Sequence, residues 1–212
     1  MPTSDTPTIS NDSLETLTKI LDNLLPQTQC RQCGTEGCLA YARAMARGEA
    51  PINRCAPGGQ AGINRIATFL GIPAPTLDPE YGQEMPFAVA RIRAEHCIGC
   101  SWCIKVCPTD AIAGAPKHLH GVLEQACTGC ALCLPACPMD CIDMVEVNKP
   151  WTLGDAHRAR GLYHEREARR EKRRQRDQAR LEALSQASRG KKTSSLIANI
   201  MAKAKIANQT SG

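Results

Sequence analysis

The sequence predicts an α+β protein with three parts: a small helical module, a second module of two related halves, and a charged C-terminal helix with a disordered tail. Three observations predict this organisation. A cysteine pattern occurs twice at a fixed offset, with Cys97 matching Cys127, and four further cysteines precede both copies. Arginine becomes abundant after about residue 155. A pattern repeated at a fixed offset indicates one structural unit used twice.

The repeated pattern is C-x2-C-x2-C-x3-C-P. The first copy reads CIGCSWCIKVCPTDAI over 97–112, and the second reads CTGCALCLPACPMDCI over 127–142. This is the run of bacterial ferredoxins, in which the fourth cysteine of each run ligates the other cluster. Three thiolates on one tight loop can bind three corners of a cubane, and the partner repeat supplies the fourth. We therefore expect one [4Fe–4S] cluster at Cys97, Cys100, Cys103 and Cys137, and another at Cys107, Cys127, Cys130 and Cys133.

Zinc and disulfide bonds explain these two runs less well. Zinc usually takes its four ligands as two separated C-x2-C pairs, so the third cysteine of each run would be superfluous. Disulfides need an oxidising compartment, whereas residues 1–13 lack the basic and apolar segments of a signal peptide. No stretch approaches the roughly 20 apolar residues of a membrane span. We expect the protein in the cytoplasm, with peripheral attachment to the cytoplasmic side of the inner membrane as an alternative.

A separate set of four cysteines lies upstream, spaced C-x2-C-x4-C-x16-C: Cys30, Cys33, Cys38 and Cys55. Glycines bracket the loop between the second and third of them and suit a turn around an inorganic core. An Ala-rich helix over 39–47 carries the chain away and back, so that the last cysteine can close the site. By spacing alone, a third [4Fe–4S] cluster and a zinc ion both remain open.

The combination of QCRQCGTEGC and NRCAPGG with two following ferredoxin repeats resembles the B subunit of the Rnf-type electron-transport complex, called Rsx in some bacteria. The resemblance covers about Leu14 to Val147. It implies that the upstream cysteines hold a third [4Fe–4S] cluster. It also implies electron relay within a membrane complex that couples redox chemistry between ferredoxin and NAD to ion movement. Members of that family usually begin with a membrane-spanning helix, whereas this chain begins with polar residues and carries a long basic extension.

The expected domain boundaries follow from these motifs. Apolar periodicity predicts a helix over 14–25, and alternation predicts a strand over 87–93 with further short strands near 112, 121–123 and 142–147. The expected segments are a disordered lead-in (1–13), a four-Cys [4Fe–4S] domain (14–72), a Pro-rich linker (73–86), a pseudo-twofold two-cluster ferredoxin-like domain (87–148), a basic charged helix (149–190) and a flexible basic tail (191–212).

The charge is divided along the chain. Residues 155–190 carry eleven Lys and Arg against six Asp and Glu, and residues 191–212 add four lysines and no acid. This basic end is expected to be a solvated helix followed by disorder, or a docking element for an acidic redox partner, anionic lipid or nucleic acid. The first reading is the simplest, because the segment has too few apolar residues for a coiled coil.

No Ser/His/Asp array, paired carboxylates or phosphate loop is visible, so we expect no catalytic residue and no small-molecule substrate. The sequence instead predicts an electron carrier whose partners are other redox proteins, including subunits of an Rnf-type complex. The alternatives are a stand-alone soluble ferredoxin for a cytoplasmic reductase and a nucleic-acid-associated iron–sulfur protein with a basic tail. The thirteenth cysteine, Cys141, is expected to be a small buried thiol, and His96 and Trp102 are expected to shield clusters from water.

Overall fold

A computed structural model describes residues 10–209 of the chain, with side chains described for 10–188 and 196–202. Most of the expected lead-in, residues 1–9, therefore lies outside the described residues. The chain divides into two compact units, Met1–Arg166 and Glu167–Gly212. The α-helices of the described part are α1 (Asn11–Leu24), α2 (Cys38–Ala46), α3 (Gly59–Leu70), α4 (Trp102–Val106) and α5 (Leu153–Gln209). The strands are β1 (Ala88–Ile92), β2 (Ile112–Ala113), β3 (Gly121–Val122) and β4 (Ile142–Glu146).

The four-cysteine module is built from α1, α2 and α3. Helix α1 starts three residues earlier than expected, because the Ser10 side chain accepts a hydrogen bond from Ser13 N and caps it. Helix α3 ends at Gly71, which adopts a left-handed conformation at φ 66°. The largest fully buried apolar side chains come from all three helices and from Leu25, which caps the end of α1: Leu21, Leu25, Tyr41, Ile63 and Ile66. Each such aliphatic side chain contributes about 1.5–3 kcal/mol on burial, so this module has a small apolar core of its own.

The two-repeat module contains the four expected strands. Strand β1 pairs antiparallel with β4, in register from Ala88 opposite Glu146 to Ile92 opposite Ile142. Strand β2 pairs antiparallel with β3. The first strand of the module thus pairs with its last, and this closes the two repeats into one unit.

Backbone angles confirm that the repeats are related. The first glycine of each cysteine loop has φ 69° at Gly99 and 70° at Gly129, and the turn aspartates have φ 51° at Asp110 and 45° at Asp140. A side chain at Gly99 would lie 2.6 Å from His118 N, so this position requires glycine. The two equivalent loops therefore have the same backbone conformation.

The repeats differ in one element. Helix α4 follows the first loop, whereas the matching residues of the second repeat form turns in the described structure. Pro135 stands where the first repeat has Lys105, and a proline at this point removes a helical N–H. The two related halves of this module therefore differ in helix content.

Helix α5 begins with a reciprocal cap. Thr152 Oγ1 accepts a hydrogen bond from Asp155 N at 3.2 Å, and Asp155 Oδ2 accepts one from Thr152 N at 3.0 Å. Asp155 also pairs with Lys149 and Arg158. This arrangement is a capping box with aspartate in the acidic position. It fixes the start of a helix that continues to Gln209, well beyond residue 190, where the sequence predicted its end.

Residues 149–166, here called the strap, contact both cysteine modules. Trp151 Nε1 donates to the Pro26 carbonyl at 2.9 Å, and Arg160 forms an ion pair with Asp22 at 3.2 Å. Arg166 is 5% exposed and donates to Asp110 Oδ1 at 3.0 Å and to the Lys105 carbonyl at 2.6 Å. The sequence-based interpretation of this part as a solvated helix is therefore wrong. The second unit, by itself, is an α-helix in its described residues, with ion pairs such as Arg170–Glu167.

Candidate iron–sulfur sites

The upstream cysteines line one cavity. Cys30, Cys33, Cys38 and Cys55 line this cavity together with Leu25 and Tyr41. The first two cysteines lie in the loop after α1, the third is the first residue of α2, and the last precedes a short 3-10 turn. The structure thus brings together all four cysteines that the sequence predicted for this site.

A chain of buried glutamines shapes the first loop. Gln27 Nε2 donates to Asp22 Oδ1 at 2.9 Å, and Gln29 Nε2 donates to Gln27 Oε1 at 2.9 Å. Gln29 Oε1 in turn accepts from Cys38 N at 3.0 Å. Both glutamines are at most 4% exposed and adopt positive φ. The chain of hydrogen bonds therefore ties the end of α1 to the start of α2 across the cysteine loop.

Tyr41 fixes the segment before the fourth cysteine of this site. Its hydroxyl donates to the Pro51 carbonyl at 2.7 Å and accepts from Arg54 N at 3.0 Å. The ring is 1% exposed. One buried phenol thus holds the chain that delivers Cys55 to the cavity.

A second cavity contains the crossed set of cysteines. Cys107, Cys127, Cys130 and Cys133 line this cavity, together with the apolar side chains of Ala90, Ile112 and Met144. The first of these belongs to the first repeat and the other three to the second. The structure therefore brings the fourth cysteine of one run to the loop of the other.

Three cysteines of the remaining set belong to the apolar cluster that also contains Cys107 and Cys133. Cys103 is buried there, and Cys97 and Cys137 pack against it half-buried. His120 Nδ1 lies 3.5 Å from Cys103 Sγ, and His120 is 7% exposed. The fourth cysteine of the set, Cys100, is half-buried in the same loop.

The expected shielding residues are placed differently. Trp102 is 58% exposed, and His96 is exposed with its ring 3.6 Å from Glu95. His120 is instead the histidine beside a predicted ligand. Sequence reasoning missed it because its partner, Cys103, lies in the preceding repeat. The only sequence signal was a histidine just before β3.

Backbone and side-chain donors point at several sulfurs. Ala90 N lies 3.5 Å from Cys127 Sγ, and Ala111 N lies 3.2 Å from Cys107 Sγ. In the upstream module, Thr35 Oγ1 lies 3.1 Å from Cys33 Sγ, and either atom can be the donor, since the same hydroxyl also donates to the Gly37 carbonyl. Donors of this kind stabilise negative charge on cluster ligands and help to set reduction potentials.

Burial raises the pKa of half of the twelve expected ligand thiols, and it therefore keeps these six protonated on their own. Burial raises the pKa of Cys38 to about 12, that of Cys130 to about 11 and that of Cys133 to about 12. Burial also raises the pKa of Cys55 well above its ordinary value. Such thiols become thiolates when a metal cation supplies the compensating charge. Grouped around two cavities, they fit iron–sulfur ligation. The described residues contain no group of three or more His, Cys, Asp or Glu side chains arranged around a single metal ion.

The fold and the paired cysteine loops define an iron–sulfur protein with a two-cluster ferredoxin module. Residues 90–144 match the family described as "4Fe-4S dicluster domain", and residues 25–57 match the one described as "Putative Fe-S cluster". Over its cysteine modules the chain is similar to proteins named as the B subunit of the ion-translocating oxidoreductase complex. It belongs to this family of B subunits, because one such relative is 55% identical and is matched over 70% of its length.

Three relatives illustrate the extent of the match. The protein from Azoarcus sp. (strain BH72) is 55% identical over 129 residues, which is 61% of this chain and 70% of the relative. The protein from Hahella chejuensis is 58% identical over 125 residues, or 59% of this chain and 63% of the relative. The protein from Thiobacillus denitrificans is 50% identical over 107 residues, or 50% and 57%. The matched part thus spans 57% to 70% of these three relatives.

Among the described residues, no helix combines the length and apolar character needed to cross a membrane.

Proposed function

We propose that this protein relays single electrons through three [4Fe–4S] clusters, as the B subunit of an ion-translocating oxidoreductase complex of the Rnf type. The observation that carries the proposal is the pair of cavities, each lined by four cysteines of an expected ligand set. A bound [4Fe–4S] cluster supplies reversible one-electron chemistry at a potential set by its surroundings. Among the described residues, no array of side chains suited to acid–base catalysis accompanies the cysteines.

The proposed ligand sets are those expected from the sequence. Cys30, Cys33, Cys38 and Cys55 hold one cluster; Cys107, Cys127, Cys130 and Cys133 hold the second; Cys97, Cys100, Cys103 and Cys137 hold the third. The crossed assignment is supported by the placement of Cys107 in the cavity of the second-repeat loop. By the pseudo-twofold relation between the repeats, Cys137 takes the same role for the first-repeat loop.

The rest of the chain excludes water and fixes the sulfurs. Leu25 and Tyr41 close the upstream cavity, and Ala90, Ile112 and Met144 close the second-repeat cavity. The N–H groups of Ala90 and Ala111 donate to ligand sulfurs, as described above. A rigid apolar surround with fixed donors lets each cluster gain or lose an electron without large rearrangement.

The partners we propose are the other subunits of such a complex and the redox proteins that exchange electrons with it. Ferredoxin and NAD are the two redox partners between which the whole complex transfers electrons. The relatives are named as subunits of an ion-translocating oxidoreductase complex. We place the protein at the cytoplasmic face of the inner membrane. The exposed apolar side chains Leu196, Ile197, Ile200 and Met201 on a helix in a basic part of the sequence support peripheral contact with anionic lipid.

The iron content tests the proposal. Anaerobically purified protein should hold about twelve iron atoms and about twelve sulfide ions per chain, because each of three cubanes contributes four of each. Cys55→Ser should lower the iron content by about four atoms and leave the ferredoxin-type signals unchanged. A content of about eight iron atoms in the unmodified protein would contradict the upstream cluster. A matched variant, Cys141→Ser, changes a cysteine outside the three sets and should keep the full iron content.

A further inference from the structure

Cys141 lies against one predicted ligand. It is 3% exposed, and its Sγ is 3.4 Å from Cys137 Sγ. Its backbone N also lies 3.5 Å from the same sulfur. Cys141 belongs to none of the three proposed ligand sets, so its thiol keeps its proton when Cys137 is a thiolate ligand.

The related repeat offers an internal comparison. Cys141 occupies the position that Ala111 occupies in the first repeat, and Cys137 corresponds to Cys107. Ala111 N donates to Cys107 Sγ at 3.2 Å, just as Cys141 N donates to Cys137 Sγ. The backbone donors are therefore matched, and the extra S–H of Cys141 is the difference at this pair of positions.

The direction of the hydrogen bond follows from the ligand state. A thiolate that ligates iron has no proton, so Cys137 Sγ can only accept. Cys141 is then the donor, and donation to a charged acceptor is stronger than donation to a neutral one. Reduction adds one electron and increases the negative charge on the ligand sulfurs, so a donor stabilises the reduced state more than the oxidised state.

We propose that the Cys141 thiol tunes the first-repeat site. It donates a hydrogen bond to Cys137 Sγ and raises the reduction potential of the cluster held by Cys97, Cys100, Cys103 and Cys137. No covalent bond forms or breaks, and the proton stays on Cys141. The inference rests on the proposed crossed ligation.

Three variants of the full-length holoprotein test this role. Cys141→Ala removes the donor, Cys141→Ser replaces the thiol by another donor, and Ala111→Cys introduces a thiol beside Cys107. Iron content is measured first, and the midpoint of each cluster is then followed by potentiometric EPR titration. The signals are assigned with Cys100→Ser for the first-repeat loop and Cys130→Ser for the second-repeat loop.

We expect Cys141→Ala to lower the midpoint of the first-repeat cluster and to leave the other midpoints unchanged. Cys141→Ser should retain at least part of the original midpoint, and Ala111→Cys should raise the midpoint of the cluster held through Cys107. Pulsed EPR in D₂O should detect an exchangeable deuteron near the first-repeat cluster in the unmodified protein and in Cys141→Ser. The coupling of that deuteron should be lost in Cys141→Ala.

The outcomes separate this inference from the proposed function. Unchanged midpoints in both Cys141→Ala and Ala111→Cys, with full iron content, overturn the tuning role and leave electron relay intact. Loss of about four iron atoms in Cys141→Ala would make Cys141 a ligand and also overturn it. A shift confined to the second-repeat cluster in Cys141→Ala would contradict the crossed ligation itself.

Discussion

The hydroxyl of Thr128 donates a hydrogen bond to the backbone carbonyl of Thr28 at 3.0 Å, and both residues are buried. Thr128 follows the first cysteine of the second repeat, and Thr28 lies two residues before the first cysteine of the upstream module. The equivalent of Thr128 in the first repeat is Ile98, which is 57% exposed. The upstream module therefore contacts the second repeat at the position where the first repeat exposes a large apolar side chain.

Thr128→Val should loosen the contact between the modules. The substitution keeps the side-chain shape but leaves the buried Thr28 carbonyl without its donor, which costs about 1–3 kcal/mol. Hydrogen exchange of residues 25–30 should become faster by the factor that corresponds to this loss of free energy. Ile98→Val at the equivalent exposed position should change the free energy of opening, as measured by exchange, by no more than about 0.5 kcal/mol. Equal effects of the two substitutions would contradict the role of this hydrogen bond.

The crossed ligation predicts which signal each ligand variant removes. Cys137→Ser should abolish the EPR signal that Cys100→Ser also abolishes, because both residues are assigned to one cluster. Cys107→Ser should instead match Cys130→Ser. The measurement is EPR of dithionite-reduced protein with parallel iron analysis. If Cys137→Ser reproduced the spectrum of Cys130→Ser, each run would bind its own cluster.

The cap of α5 should make the strap sensitive to acid. Hydrogen bonds from the side chain and backbone of Thr152, with Lys149 and Arg158 nearby, hold the pKa of Asp155 well below its ordinary value. Because the folded-state pKa is lower than the unfolded value of about 3.9, the stabilisation is present above that pH and is lost as pH falls below it. Asp155→Asn should therefore destabilise residues 149–166 by about 2 kcal/mol at pH 7 and by less at pH 3.

Hydrogen exchange of the strap, corrected for the intrinsic rate at each pH, measures this difference. Asp177→Asn is the matched control, because Asp177 is exposed on the same helix. A difference between the unmodified protein and Asp155→Asn that grew as the pH fell would have the wrong sign and would contradict the assignment.

Two truncated chains should distinguish the contribution of the strap from that of the second unit. A chain ending at Arg166 keeps the contacts of Trp151, Arg160 and Arg166, and we expect it to retain full iron content and midpoint potentials. A chain ending at Pro150 loses all three contacts and should show a lower thermal midpoint and faster loss of iron in air.

The full chain can also be tested for DNA binding. Binding that is abolished by salt and by truncation after Arg166 would favour a nucleic-acid role for the basic end.

Cysteine spacing predicted the fold, and it predicted which cysteines come together around two of the cavities, because cluster ligands obey fixed local distances. The strands at 88–92 and 142–146 also followed from short-range alternation. The hydrogen bond of Gln29 to Cys38 and the approach of His120 to Cys103 did not, because each depends on where a distant loop comes to lie. The strap was missed for the same reason. Its arginines are typical of a solvated helix in the sequence alone, because their partners Asp22 and Asp110 are distant along the chain.

The strap is also the last part of its unit to be synthesised. A ribosome completes Cys137 before it reaches Trp151, and at about 5–20 residues per second several more seconds pass before Arg166 has been added and has left the exit tunnel. During the last part of that interval the thiols of both modules have left the ribosome while the last of the arginines that join the modules has not. Iron delivery can therefore precede the docking of Arg166 in the nascent chain, whereas in a finished chain that has lost its iron the contacts of Trp151, Arg160 and Arg166 are already formed.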